Sequence, residues 1–322
     1  NLPGTTIDLP AIGEKDKLAL DHALKSGADW IAVSYVRSAE DLRPAKDAIK
    51  AAGLHTPVIA KIEHPAALEN LHSILDAADA VMVARGDLGV EIPLEQVPLA
   101  QQRIIDAGLM RGMVVIVATQ MLESMTLNPR PTRAEVSDVS TAIRHGGTAV
   151  MLSGETASGE HPVAAVETMV KIANATEIGL VSSGGTPGAL SKFRSTRAVA
   201  HSGVELARMS DAKHILVATQ HGNAPRLVAG YRPDVIVTAV TDRKRAARRM
   251  NLLPGVQSVI VEEHERGSKT MQNAIKLLAE DGSIKSGDRI VAISGSPQAM
   301  SGATSTVRLY KLQPDGSISG TE

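Results

Sequence analysis

The chain of 322 residues is longer than an ordinary single domain, and its 43% of hydrophobic residues can fill more than one buried core. Its 34 basic and 35 acidic residues nearly balance and aromatic residues make up only 2%, so neither charge nor base stacking favours nucleic acid or an anionic membrane as a partner. Cysteine is absent and no apolar run has the roughly 20 residues that span a bilayer, so disulfides and thiolate sites are excluded and we expect a cytoplasmic protein.

The first half of the chain alternates short apolar runs with amphipathic stretches, as in repeated βα units that build a parallel sheet. Strands are predicted at residues 30–35, 58–63, 80–84, 114–119 and 149–153. Helices are predicted at residues 39–52, beginning near Ser38 and ending at Gly53, and at residues 68–77. Polar residues follow nearly every strand, which favours a (β/α)8 barrel over an open doubly wound sheet. Five units cannot close such a barrel, so about three strands are missing from this chain or supplied by another.

The second half of the chain is predicted to form a separate, smaller α/β domain. Residues 181–188 (VSSGGTPG) have the composition of a linker. We therefore expect a partial barrel at residues 1–176, a connecting region at 177–195 and the second domain at 196–322. Its strands are predicted at residues 215–219, 235–241, 256–261 and 289–294, with an edge strand at 306–312. The basic run at 243–249 is interpreted as the solvated face of a short helix, without an assigned function.

Charged residues end the second and third predicted strands. Lys61 and Glu63 are two residues apart, so they project to the same side of a strand about 6.6 Å apart, and Asp87 follows the next strand. Two carboxylates beside an ammonium are typical of a divalent cation next to an anionic substrate, and this ligand set suits Mg²⁺ or Mn²⁺. A plain ion pair with Asp87 as a helix cap is the alternative. Gly86 and Gly89 favour a ligand, because they allow close backbone approach.

Hydroxyl residues end the fourth and fifth predicted strands. Thr119 is expected to face the same site as Lys61, Glu63 and Asp87. A helix N-cap is an equally good interpretation of its position. Ser153 and Glu155 belong to a short Ser-Gly-Glu-Thr turn where barrels often hold phosphate. A capped turn without a ligand explains these two residues equally well.

Six strings of the chain, in the same order and spacing, resemble the pyruvate kinase family. They lie at residues 1–4 (NLPG), 61–63 (KIE), 82–89 (MVARGDLG), 118–125 (ATQMLESM), 129–135 (PRPTRAE) and 151–157 (MLSGETA). The resemblance covers essentially the whole chain and is looser after residue 176. It implies phosphoryl transfer between phosphoenolpyruvate and ADP in glycolysis, giving pyruvate and ATP, with Mg²⁺ bridging enzyme and substrate.

The resemblance also implies a role for each residue at the strand ends. Glu63 and Asp87 would bind the metal, and Lys61 would stabilise the transferred phosphoryl group and the enolate oxygen. The backbone of Gly86 and Asp87 would hold the substrate carboxylate. Thr119 would contact that carboxylate and help a water relay to protonate the enolate carbon. Arg85, with Ser153 and Glu155, is a candidate for phosphate contact or support, and Arg85 would reach toward a neighbouring subunit because the family forms tetramers.

Part of the family pattern lies outside this chain. In the family, residue 1 follows a mobile lid domain, so the first barrel strands and the lid are expected to be absent here. The resemblance assigns to them the arginine that grips the phosphoryl group, the K⁺ ligands and much of the nucleotide site. We therefore expect little kinase activity from the 322 residues alone.

An effector loop is a further expectation from the resemblance. The loop that holds an effector phosphate in many family members corresponds to Thr219, Gln220, His221, Gly222 and Asn223. Family members usually offer a hydroxyl and a cation where this chain has Ala224 and Asn223. Residues 294–297 and 301–304 resemble the partner loop. Two interpretations fit these loops: an anion site built from backbone amides, or two ordinary surface turns without a ligand.

Two other functions fit the same residues. A metal-dependent barrel lyase or aldolase also holds Mg²⁺ beside an enolate. A catalytically silent pyruvate kinase derivative, retained for assembly or effector binding, is a different class of protein; the intact Lys61, Glu63, Asp87 and Thr119 argue against it.

Overall fold

The computed structural model describes residues 10–180, 189, 193–262, 267–295 and 304–320 of the chain. These residues fold into two compact units, each with its own sheet and its own buried apolar cluster or clusters. The described residues contain no helix that combines the length and the apolar character needed to cross a bilayer.

The described residues of the first unit form nine helices and five strands, with one or two helices after each strand. In chain order they are α1 Glu14–Lys25, β1 Ile31–Val33, α2 Arg43–Ala51, β2 Val58–Ile62, α3 Pro65–Glu69, α4 Leu71–Ala77, β3 Ala80–Ala84, α5 Arg85–Glu91, α6 Val97–Met110, β4 Val114–Ala118, α7 Arg133–Arg144, β5 Ala149–Met151, α8 Gly154–Ala157 and α9 Pro162–Ile178. Short 3-10 turns lie at Ala39–Leu42, Leu94–Gln96 and Glu123–Thr126. The five predicted strands are all present, each within or equal to its predicted range.

The five strands form one parallel sheet in the order β1-β2-β3-β4-β5. An open doubly wound sheet reverses its strand order at a switch point, whereas a barrel keeps the sequential order seen here. All five residues of β3 and of β4 are buried, which is typical of strands in the middle of a parallel sheet. The register pairs Ile62 with Val83 and Ala84 with Ala118, so the residues that follow these strands meet at one edge of the sheet.

The predicted helix at residues 39–52 is divided in the structure. Ser38 begins a 3-10 turn, with the Asp41 carboxylate accepting the Ser38 backbone N–H at 2.9 Å, and α2 follows from Arg43. Pro44 lies in the first turn of α2, where its missing N–H would be unpaired in any case. The predicted helix at 68–77 begins earlier, at Pro65, and is interrupted at Asn70.

The second unit contains α10 Arg194–Met209, β6 His214–Ala218, α11 Asn223–Gly230, β7 Ile236–Thr241, α12 Lys244–Met250, β8 Val256–Ile260, α13 Gly267–Glu280, β9 Arg289–Gly295, β10 Thr304–Leu312 and β11 Ile318–Gly320. Its sheet has the order β11-β10-β9-β6-β7-β8. The prediction of an edge strand at 306–312 was wrong in position, because β10 is covered on its far side by β11 in an antiparallel pair. The basic run lies on and just before the short α12, as expected.

Candidate active site at the carboxyl edge of the parallel sheet

Lys61 and Glu63 form a close ion pair at the carboxyl end of β2. The Lys61 ammonium lies 2.6 Å from Glu63 Oε1 and donates to Ser34 Oγ at 2.8 Å. Glu63 Oε2 accepts the backbone N–H of Tyr35 at 2.6 Å, and Glu63 is only 1% exposed. The same-side projection predicted from their spacing is therefore confirmed, and the loop after β1 supplies the other contacts.

Asp87 lies in the first turn of α5, directly after β3. The helix begins after Ala84, so Asp87 is not the N-cap that the alternative reading of its position proposed. Since β2 and β3 are hydrogen-bonded neighbours, Glu63 and Asp87 follow adjacent strands at the same edge. The described part of the chain holds no cluster of three or more His, Cys, Asp and Glu side chains that could bind a metal by itself. A cation at Glu63 and Asp87 would complete its shell with water and substrate oxygens, as Mg²⁺ commonly does.

Thr119 follows β4 in a left-handed backbone conformation that is rare for a β-branched residue. Its φ is 70°, and that of Gln120 is 52°. Each such residue costs about 1–3 kcal/mol, so two in succession need strong support from their surroundings. Thr119 Oγ1 accepts the Gly86 N–H at 2.7 Å and donates to the Ala118 carbonyl at 2.6 Å. Thr119 therefore accepts an N–H from the first turn of α5, and it is not the N-cap residue of the turn that follows β4, which is Leu122.

A side chain at position 86 would crowd this contact. A Cβ at position 86 would lie 3.3 Å from Thr119 Oγ1 and 3.4 Å from Thr119 Cβ. The close approach that this glycine was expected to allow is made in the structure by the Thr119 hydroxyl. A substrate carboxylate at the Gly86 N–H would have to share or replace that hydroxyl.

Arg85 is turned into the protein, which differs from the expectation that it reaches a neighbouring subunit. Its side chain is 9% exposed, and Nη1 donates to both oxygens of Asp138 at 2.6 and 2.7 Å. Nη2 donates to the carbonyls of Thr119 at 2.7 Å and Gln120 at 3.1 Å. These intramolecular acceptors hold the guanidinium inside this unit, because a buried cation needs hydrogen-bond partners.

Glu155 is fully buried beneath the same edge of the sheet. Its two oxygens accept the backbone N–H groups of Leu122 at 3.1 Å and Ser153 at 2.7 Å. The Glu155 carboxylate therefore connects the loop after β4 with the turn after β5, which is a supporting position. Ser153 remains partly exposed just before α8, and its contact with phosphate stays a prediction.

Glu135 supports the loop that follows β4 from the first turn of α7. Its carboxylate accepts the Ser124 hydroxyl at 2.6 Å and the Ser124 N–H at 2.7 Å, and it completes a capping box with Thr132. Burial raises the pKa of Glu135, but the hydrogen bonds from Ser124 and Thr132 outweigh this and lower the pKa below its ordinary value. Glu135 is thus a charged structural anchor.

The predicted effector residues lie together in the loop between β6 and α11. Thr219 Oγ1 accepts the Gly222 N–H at 2.9 Å, and Gly222 has a φ of 85° that favours glycine. The His221 ring lies 3.4–3.5 Å from Arg243 Nη1, and the Asn223 amide oxygen accepts from Arg226 at 3.4 Å. Most of the partner loop, residues 296–303, lies outside the described residues. An effector site here stays a prediction.

Sequence reasoning missed three contributors to the site: Ser34, the Tyr35 backbone N–H and Asp138. Ser34 and Tyr35 could have been found, since they follow β1 as the other polar residues follow their strands. Asp138 lies within α7, 53 residues from Arg85, and no local pattern relates the two positions.

A parallel sheet in sequential order, with carboxylates, an ammonium and a hydroxyl at its carboxyl edge, defines a barrel-type enzyme domain. The family models "Pyruvate kinase, barrel domain" and "Pyruvate kinase, alpha/beta domain" match residues 1–166 and 197–310. The chain belongs to the pyruvate kinase family, and its five βα units are part of that family's barrel.

Individual relatives agree with the family models. The chain is 41% identical to a pyruvate kinase of Geobacillus stearothermophilus, over 97% of this chain and 54% of the relative, and 39% identical to one of Mycobacterium tuberculosis, over 98% and 66%. The crystal structure of a pyruvate kinase from Cryptosporidium parvum aligns with a TM-score of 0.88 and 34% identity, over 97% of this chain and 64% of that one. The chain thus spans between about half and two thirds of the length of these relatives. Pyruvate kinases are kinases that generally use Mg²⁺ and K⁺.

Proposed function

We propose that the protein transfers a phosphoryl group from phosphoenolpyruvate to ADP, giving pyruvate and ATP. The observation that carries this proposal is the position of the Lys61 ammonium, 2.6 Å from the buried Glu63 and 2.8 Å from Ser34 at the carboxyl edge of the sheet. A fixed cation at this edge can stabilise the charge that develops on a departing enolate oxygen. Family membership supports the choice of phosphoenolpyruvate and ADP as substrates, and a place in cytoplasmic glycolysis.

Glu63 and Asp87 are the residues that would hold Mg²⁺ or Mn²⁺. Each carboxylate has about four lone-pair positions, and the contacts of Glu63 with Lys61 and Tyr35 use only two of them. Oxygen ligands with few protein side chains suit Mg²⁺, which keeps several waters. When bound, a divalent cation supplies positive charge to the phosphoryl and enolate oxygens. By family resemblance, the K⁺ ligands lie outside this chain.

The residues of this chain have separate tasks in the proposed reaction. As the bond between the phosphorus and the enol oxygen breaks, negative charge grows on that oxygen, and the Lys61 ammonium stabilises it. The enolate then takes a proton at its methylene carbon, giving the methyl group of pyruvate. Thr119 Oγ1 donates its proton to the Ala118 carbonyl, so it supports a water relay only after it exchanges this acceptor for water.

Exchange of the pyruvate methyl protons tests the enolate chemistry at Lys61, Glu63 and Asp87 and does not require the nucleotide site, much of which the resemblance assigns to residues outside this chain. In D₂O with Mg²⁺, K⁺ and inorganic phosphate, formation of the enolate releases a methyl proton and reprotonation adds a deuteron. We expect loss of the methyl signal in ¹H NMR, and we expect Lys61→Met to slow it by about 100-fold or more, the usual loss for one oxyanion-stabilising group. Lys46→Met is the matched control, since the Lys46 ammonium donates to the Ala77 carbonyl away from the site.

The outcomes separate the competing functions. Proton exchange that depends on Lys61 and leaves the carbon skeleton of pyruvate intact supports the proposed kinase function. New carbon–carbon bond products would indicate a barrel lyase or aldolase instead. Wild-type exchange no faster than that in buffer with Mg²⁺ would contradict the proposal and favour a silent derivative.

A homo-oligomer is the second part of the proposal, and the region around α5 and α6 supports it. Leu94 and Leu99 are each 74% exposed, and Val90 nearby is 50% exposed. Large exposed apolar side chains that lie close together in one short segment are candidates for a protein contact. We expect Leu99→Lys to raise the dissociation constant of the assembly by tenfold or more, as measured by sedimentation velocity. Leu18→Lys, at a residue that is 75% exposed on α1, is the control; equal effects of both variants would count against this interface.

A further inference from the structure

The strained segment Thr119–Gln120 is held on two sides. On one side, the Thr119 hydroxyl accepts the Gly86 N–H at 2.7 Å. On the other side, the Arg85 guanidinium binds the Thr119 carbonyl through Nη2 at 2.7 Å and Nε at 3.3 Å, and the Gln120 carbonyl at 3.1 Å. Both carbonyls belong to residues with positive φ. The direction of these two peptide groups therefore depends on where the Arg85 guanidinium lies.

The Arg85 guanidinium is in turn fixed by Asp138. Its Nη1 contacts both carboxylate oxygens of Asp138, at 2.7 and 2.6 Å. Asp138 comes from α7, which begins at Arg133 and follows β4 by a loop and a 3-10 turn. Charge-assisted contacts of this kind are shorter and more directional than neutral ones. A chain of contacts thus runs from Asp138 through Arg85 to the backbone of Thr119.

We propose that Asp138 is a positioning residue that sets the Thr119 hydroxyl at the active site through Arg85. If Arg85 shifts, the Thr119 carbonyl loses its donor, and the peptide can rotate out of the left-handed conformation. The Thr119 hydroxyl then moves away from the Gly86 N–H, because a rotation of the Thr119 backbone also moves the Thr119 side chain. This inference rests on the proposed function of Thr119 and adds Asp138 to it. Asp138 itself touches neither substrate nor metal.

A purely structural role for Asp138 is the competing explanation, since an ion pair between α5 and α7 also stabilises the fold. The two explanations differ in what they change. A structural role alters the melting temperature alone. A positioning role also alters the environment of the Thr119 methyl group and the chemistry at the site.

Asp138→Asn tests the proposal, because the amide keeps the shape and one oxygen of the carboxylate and removes its charge. The 322-residue chain is labelled with ¹³C at the threonine methyl groups, and the Thr119 signal is assigned by its loss in Thr119→Ser. We expect Asp138→Asn to shift the Thr119 methyl signal and to slow pyruvate proton exchange by about tenfold or more, since small displacements of reacting groups are costly. Asp138→Glu retains the charge, so it should recover part of the wild-type position of the Thr119 methyl signal and part of the wild-type exchange rate.

Glu135→Gln is the matched control, one turn earlier on the same helix. It removes the carboxylate charge that anchors Ser124 and Thr132, so it should lower the melting temperature without moving the Thr119 signal. The proposal is overturned if Asp138→Asn leaves the Thr119 signal and the exchange rate unchanged, or if Glu135→Gln shifts both equally. Should wild-type protein fail to exchange pyruvate, the proposed function fails, whereas the methyl signal alone still decides the positioning role. Arg85→Lys repeats the test if Asp138→Asn does not fold, with the same shift expected.

Discussion

Replacing Glu63 by Gln should weaken Mn²⁺ binding by at least 10- to 100-fold, the loss found even for groups that only support a metal ligand. The charge of a buried ligand is removed, and the new amide N–H₂ has to face either the Lys61 ammonium or the Tyr35 N–H, both of which are donors. Electron paramagnetic resonance of free Mn²⁺ during titration measures the affinity directly. The Asp87→Asn variant should show a loss of the same order.

Asp79→Asn provides the control for metal binding. Its carboxylate accepts the Val58 N–H at 2.9 Å, at the amino end of the same two strands that carry Glu63 and Asp87 at their other end. Removing this charge should leave Mn²⁺ affinity unchanged. Equal affinity of wild type, Glu63→Gln and Asp87→Asn would remove the basis for a cation at this edge of the sheet.

Glu63→Gln should also destabilise the fold, which has to be separated from metal binding. Lys61 retains its charge in a site where its side chain is 23% exposed, and loss of one partner of a buried ion pair commonly costs about 3–5 kcal/mol. The partial exposure of Lys61 reduces this cost through solvent screening. Melting curves without metal measure the effect, and the Mn²⁺ titration is then carried out well below the melting temperature of the variant.

Glu155→Ala is expected to cost roughly 2–5 kcal/mol of unfolding free energy. The substitution removes the acceptors of two backbone N–H groups, those of Leu122 and Ser153, from a position that is 0% exposed. An unsatisfied buried donor costs about 1–3 kcal/mol, and the loss of the side chain adds a cavity. Urea denaturation followed by circular dichroism gives the difference.

Two related variants make the Glu155 prediction specific. Glu155→Gln keeps one acceptor oxygen and places an N–H₂ group against the second backbone N–H, so an intermediate loss is expected. Glu160→Ala, five residues further along on an exposed side chain, should change stability by no more than about 0.5 kcal/mol. A Glu155→Ala variant as stable as Glu160→Ala would show that these two hydrogen bonds do not support the loops.

The success of sequence reasoning in this protein depended on the distance between interacting residues. Lys61 and Glu63 are two positions apart, and strand geometry alone predicts that they project to the same side, where the structure joins them in an ion pair of 2.6 Å. Asp87 and Thr119 were assigned to the same edge because the carboxyl ends of parallel strands lie together, and the register of β2, β3 and β4 agrees. The alternating pattern also located every strand of the first sheet in the described residues, although all of them except β3 are shorter than predicted.

Local pattern did not predict the direction of the Arg85 side chain. Arg85 was expected to point toward another subunit; within this chain its acceptors lie on the loop after β4 and on α7, and a contact with a neighbouring subunit stays a prediction. The edge position assigned to residues 306–312 was wrong, because β11 pairs with β10 over residues that local pattern did not identify as a strand.

The amino-acid sequence by itself determined the parallel α/β architecture of the first unit, the family and the charged residues of the candidate site. These properties follow from alternation of apolar and polar residues and from short motifs, which are local. Only the tertiary structure decided that Asp138 holds Arg85, that Arg85 holds the strained Thr119–Gln120 backbone, and that Glu155 is fully buried. These contacts join residues 33 to 53 positions apart, and their geometry is set by helix packing and strand register rather than by neighbouring residues.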